Sequence, residues 1–276
     1  MSIRNVLVAF DGTDRSKNAL RLAIQVATAK DAHLTGLFVQ LSPVYYANIG
    51  AWLPDNTIAM LAERDAQHAA EVKATFERLC QEQGMTARTS FELSSGQPNT
   101  RFVEFGRTYD LIVIGQPETD SWDDRNQPYP DTVALQSGRP VMIAPRNFTG
   151  LRLDGGTVVA WDGKRAAARA LSDSFDLIDG TGPLVVQTVD RQENEIRQPG
   201  RDIMEHLSRH GIAAELRVTP KNGRSIGSIL LETCQTQGAG MLVMGAYEHS
   251  QFSEELIGGV TKEVLAKTKL PVLMSH

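Results

Sequence analysis

Val8-Ala9-Phe10-Asp11-Gly12 and Val159-Ala160-Trp161-Asp162-Gly163 are two versions of one stretch: three apolar residues, an aspartate and a glycine. An alanine-rich helical pattern follows each, through Ala19-Leu20 and through Ala170-Leu171. Two more landmarks recur in the same order. Asp110-Leu111-Ile112-Val113-Ile114-Gly115 pairs with Gly240-Met241-Leu242-Val243-Met244-Gly245, and Arg139-Pro140-Val141-Met142-Ile143 pairs with Leu270-Pro271-Val272-Leu273-Met274. Three ordered matches mean an internal duplication. The join falls among the loop-like residues Asn147-Phe148-Thr149-Gly150 and Asp154-Gly155-Gly156. The domains expected are residues 1–148 and 155–276.

Within the first copy, strands are expected at Asn5–Phe10, His33–Val39, Ala87–Leu93, Leu111–Ile114 and Val141–Ala144. Helices are expected at Ser16–Ala29, Ile58–Gln83 and Asn99–Thr108. The strand runs are continuously apolar, as in parallel strands buried on both faces. Strands alternating with helices through right-handed crossovers give a doubly wound α/β sheet, here twice. In such a sheet ligands sit beyond the carboxyl ends of the strands at the switch point. The turns after Asp11-Gly12 or Asp162-Gly163, and after Gly115 or Gly245, must therefore supply any site.

The late turn of the second copy ends in Gly258-Gly259-Val260-Thr261, followed by a helical Lys262–Lys267. Free N–H groups and the positive end of the dipole at a helix start make an anion site. Gly245 lets the chain leave the sheet edge sharply, and His249 and Ser250 offer further donors. The same glycines also read as simple helix caps. The first copy has no glycine pair after Gly115; it carries Glu118, Asp120, Asp123, Asp124 and Asp131 against Arg125, which is a poor phosphate site. The segment before Arg139-Pro140 is also shorter, so a cut-down final helix is expected.

This pattern resembles the universal stress protein family, whose nucleotide-binding members carry Gly-x-x-Gly, nine residues, then Gly-Ser or Gly-Thr. Gly245, Ser250, Gly258 and Val260 match. Glu248 stands at the second glycine and Gly259 at the hydroxyl residue. A carboxylate beside a triphosphate is repulsive unless a metal ion intervenes. The resemblance covers both copies and implies two tandem doubly wound, Rossmann-like domains forming an intramolecular pseudo-dimer. It further implies adenine nucleotide, ATP or AMP with Mg accompanying it, in the second domain. Asp162 would approach the adenosine end, the Gly258-Gly259-Val260-Thr261 helix start would hold the phosphates with His249 and Ser250 adding donors, and Ala160 and Gly245 would complete the nucleotide-binding set. The implied role is a stress-response or regulatory module that binds rather than turns over its ligand. The alternatives are a non-nucleotide dimeric interaction scaffold and a weak ATP hydrolase.

Composition narrows the partners. The 276 residues carry a net charge of −5 and a pI near 5.7, which gives no basic field to draw in nucleic acid or an anionic membrane surface. No apolar run approaches the ~18 residues of a membrane span, and the opening Met-Ser-Ile-Arg-Asn leads straight into a strand, so the cytoplasm is expected. Cys80 and Cys234 sit in helical patterns and read as packed, reduced thiols. Self-pairing of the two domains covers a sheet edge, and a homodimer could be built on it. His206 and His210 share a helix face and read as a solvated or inter-domain face. Leu41–Pro54, with Tyr45, Tyr46 and Trp52, reads as a lid, a partner surface or a packed loop.

Overall fold

The computed structural model describes residues 2–40, 55–117, 127–152, 155–178, 182–190, 200–246 and 259–276. In the first half, β1 (Asn5–Ala9) leads through α1 (Asp14–Lys30) to β2 (His33–Gln40), and α2 (Asp55–Glu82) leads to β3 (Thr89–Ser95). Then come α3 (Pro98–Gly106), β4 (Leu111–Gly115), α4 (Pro130–Ser137) and β5 (Val141–Ala144). The second half repeats the order with β6 (Thr157–Ala160), α5 (Arg165–Ile178), β7 (Leu184–Asp190), α6 (Arg201–Arg209) and β8 (Ala214–Pro220). It closes with α7 (Ile226–Thr236), β9 (Met241–Gly245), α8 (Gly259–Lys267) and β10 (Val272–Ser275).

All ten strands form one sheet in the order β3-β2-β1-β4-β5-β10-β9-β6-β7-β8. Each half is parallel throughout, and the halves meet through the single antiparallel pair β5–β10, Val272 opposite Ile143 and Met274 opposite Val141. The order reads the same from either edge, so the two doubly wound halves form a pseudo-dimer within one chain. This pairing covers one edge of each half, β5 and β10, and leaves β3 and β8 as the edges of the sheet.

Alternate strand residues feed cores on opposite faces. Val6, Val8 and Phe10 pack with α1, α2 and, in the second half, α5 and α6; Leu7, Ala9, Ile112 and Ile114 pack on the other side with α3, α4, α7 and α8. The first core is continuous across both halves. Polar contacts cross the join as well. Asp176 on α5 accepts from the Ile3 N–H at 2.8 Å and pairs with Lys30 on α1 at 3.7 Å. Gln116, 3% exposed, donates to the carbonyl of Leu265 in α8 at 2.7 Å while accepting from the Arg146 N–H at 2.9 Å.

One expectation needs correction. The third strand begins at Thr89 rather than Ala87, because Thr86–Arg88 form a 3-10 turn, closed by the Arg88 N–H on the Met85 carbonyl. The final helix of the first half, α4, has eight residues, against nine described in α8. Pro130 starts α4, its fixed φ suited to the first helical position and its missing N–H costing nothing there.

Cys80 and Cys234 are free and buried, and burial pushes both thiols up to about 12, helped at Cys80 by the nearby Glu77 charge. They stay protonated and inert at neutral pH. Among the described residues no helix is long and apolar enough to cross a membrane.

Candidate functional site

In the second half, β6 lies between β7 and β9. The chain leaves β6 toward α5 on one face of the sheet and leaves β9 toward α8 on the other. The strand ends diverge there, at the switch point. A cavity of about 470 Å³ opens in that crevice, within the range of small-molecule sites. Six of the nine residues expected from the sequence line it: Ala160, Asp162, Gly245, Gly259, Val260 and Thr261. His249, Ser250 and Gly258, with Glu248, lie outside the described residues, as does the aromatic segment 41–54.

Much of the lining is apolar: Ala160 and Val189 are half-buried, and Ala166, Ala167, Leu230 and Met244 are buried. Gln187 is 1% exposed, and its amide is spent inside the protein. Its Nε2 donates to the Thr188 carbonyl and the Thr219 hydroxyl, and its Oε1 accepts from Thr233. The mouth is polar. Asp162 is exposed, one oxygen accepting from the Lys164 N–H at 3.0 Å, and Lys221 brings a cation to the rim. Gly259, Val260 and Thr261, the first described residues of α8, line the cavity here, and a Cβ added at Gly259 would meet nothing within 4 Å.

Lys221, Ser225 and Glu263 are cavity residues that the sequence reading did not find. Glu263 projects from α8 to the head of α7. The Lys267 ammonium, 2.9 Å away, does most to hold its carboxyl below the usual range, followed by the Ser225 hydroxyl, with the Ser228 N–H assisting against desolvation. A depressed folded-state pKa stabilises the fold above the unfolded value of about 4.3, and that stabilisation disappears as pH falls through the folded value. The stability difference between wild type and Glu263→Gln is therefore expected to be full at neutral pH and to close in acid. Urea denaturation at a series of pH values checks this; a difference unchanged from neutral pH down to about pH 3 would contradict it.

Gly245 has a different reason for being glycine than an approach to a ligand. A Cβ there would lie 2.7 Å from the Ala166 carbonyl carbon, 2.8 Å from the Ala166 Cβ and 2.8 Å from the Ala167 nitrogen. The absent side chain lets α5 press onto the end of β9, and only then does the cavity take shape.

The first half handles the same crevice differently. Asp11 is 5% exposed and accepts from both the N–H and the hydroxyl of Thr13, which caps α1. Arg15, 8% exposed, lies across the strand end: its Nε donates to the Gly115 carbonyl at 2.9 Å and its Nη2 to the Pro128 carbonyl at 3.3 Å. Of the acids expected to repel phosphate there, Asp131 is spent on the Thr132 N–H at 2.7 Å; Glu118, Asp120, Asp123, Asp124 and Arg125 lie outside the described residues.

His206 and His210 pack as rings rather than gather ligands. They lie 4.7 Å apart between centroids and both lean on Phe175, at 5.8 and 4.8 Å. Among the described residues no group of three or more His, Cys, Asp or Glu side chains could hold a metal ion.

Comparison with known proteins agrees with this architecture. Residues 2–125 match the sequence model of the Universal stress protein family. No curated protein matches the chain in sequence. A universal stress protein from Archaeoglobus fulgidus DSM 4304 shares the fold at a TM-score of 0.75 and 18% identity, over 98% of this chain and 95% of that one. A functionally unknown protein from Pseudomonas aeruginosa PAO1 does so at a TM-score of 0.64 and 18% identity, over 99% and 92%.

Proposed function

We propose, for a chain that belongs through residues 2–125 to the universal stress protein family, that the second half is a regulatory module binding an adenine nucleotide, ATP or AMP. One observation carries the reading: residues picked from the sequence for a nucleotide turn, separated by up to a hundred positions, converge on one cavity of about 470 Å³. The apolar lining suits a planar base and sugar, with Asp162 near the adenosine end. The phosphates lie toward the start of α8, where backbone N–H groups and the helix dipole favour negative charge, and toward Lys221.

The donor set limits what a metal does here. Glu263 is committed to Lys267, Ser225 and Ser228, which leaves Asp162 as the cavity carboxylate free to reach outward. Mg accompanying ATP would be held by phosphate oxygens and water, the Asp162 carboxylate lying at the adenosine end. The lowered Glu263 carboxyl is an ionised cap, unsuited to act as an acid, and the module binds and senses its ligand. Purified protein is denatured and the supernatant assayed for adenine nucleotides; ATP or AMP released from wild type and absent after Gly258→Val is the expected result. No released nucleotide, together with no binding of added ATP or AMP, removes this function.

A second reading is a folded interaction scaffold without nucleotide. It draws on the first half, where Arg15 lies across the strand end, bonded to the Gly115 and Pro128 carbonyls. Self-association unchanged by ATP and AMP, with no nucleotide bound, is the outcome it requires.

A further inference from the structure

The two halves fill the same position in opposite ways. Counted from the matching aspartates Asp11 and Asp162, Arg15 corresponds to Ala166. The correspondence is also spatial. A Cβ on Gly115 would meet Arg15, its Cγ at 2.4 Å and its carbonyl oxygen at 2.6 Å, and a Cβ on the matching Gly245 would meet Ala166. From that position Arg15 turns back over the strand end and ties Gly115 to Pro128, just ahead of α4, through two carbonyls. Backbone carbonyls suit a guanidinium, which presents several donors in a fixed fork and is never deprotonated. Ala166 has nothing to place there, and it lines the cavity instead.

We infer that Ala166 is the residue that keeps the second site open and sets what it admits, and that Arg15 is the built-in occupant of the first. This rests on the reading of the second cavity as a ligand site. A ligand that fills the cavity meets the buried Ala166, Ala167 and Met244, so the part of it lying there is uncharged, and charge on the ligand belongs beside the exposed Asp162 and Lys221. The first half shows that this fold already accommodates a long side chain at the position, with the Gly115 carbonyl as acceptor; the Gly245 carbonyl stands in the same place in the second half.

The test is A166R, beside A166M as an unbranched, uncharged filler, each read by ATP and AMP titration, thermal melting and a crystal structure. Both variants are expected to melt within about 4 °C of wild type and to lose about a hundredfold in nucleotide affinity, with the new side chain lying in the cavity. Affinity within about threefold of wild type, or a crystal structure with the side chain in solvent and the cavity open, overturns the inference. Failure of both variants to fold also overturns it, because the fold would then not accept a long side chain there. Should wild type bind neither nucleotide, the proposed function falls, and the crystal structures alone decide whether position 166 opens or closes the cavity.

Discussion

Replacing Arg15 by alanine is expected to destabilise the protein by about 4 kcal/mol, the largest effect of any single change at the strand ends. Hydrogen bonds to a charged group contribute roughly 1.5–3 kcal/mol each, and a buried acceptor left bare adds a desolvation penalty. Arg15 serves two such acceptors, the carbonyls of Gly115 and Pro128, and its removal also empties volume against β4. Arg15→Lys should recover little, since one ammonium on a flexible stem does not span both carbonyls as a planar fork does. Urea denaturation followed by circular dichroism measures the effect. A loss below about 1 kcal/mol, the scale of an ordinary surface change, would show that the arginine is an ornament of the surface rather than a tie across the strand end.

Gly245→Ala is the second large effect, and it couples stability to the site. The added methyl carbon falls 2.7–2.8 Å from backbone and side-chain atoms of Ala166 and Ala167, and a helix backbone cannot swing aside as a flexible side chain can. Overpacking of this kind costs about 1–3 kcal/mol. Relief comes by lifting the start of α5 from β9, which moves Ala166, Ala167 and Asp162 together, all of them on the cavity wall. A drop in melting temperature is therefore expected along with a tenfold or greater loss of nucleotide affinity, a change of about 1.4 kcal/mol. If melting falls while affinity holds, α5 does not shape the site. If neither changes, the close approach itself is wrong.

Much of this was legible in the sequence. Leu111–Gly115 and Val141–Ala144 are continuously apolar because both faces of their strands are covered, and every residue in them is buried. The duplicated Asp-Gly and late glycine turns located the switch points, since glycine tolerates helix contact as well as close approach to ligand. What could not be read came from elements with no local signature. Ser225 and Lys221 reach the cavity only because β8 lies beyond β7 at the sheet edge, a consequence of strand order rather than of spacing. Glu263 looks like an ordinary helix-surface glutamate until α7 is placed against α8. Arg15, in the first turn of a helix beside Asp14 and Lys17, reads as a solvated charge, and nothing in its neighbours announces that it folds inward.

The central claim is that this chain has one open site and one closed site, made from the same fold. Calorimetric titration of the intact wild-type protein with ATP in the presence of Mg, and separately with AMP, tests it most directly. The account predicts saturation at one nucleotide per chain. Two nucleotides per chain would contradict the closure of the first half, and none would contradict the nucleotide reading of the second.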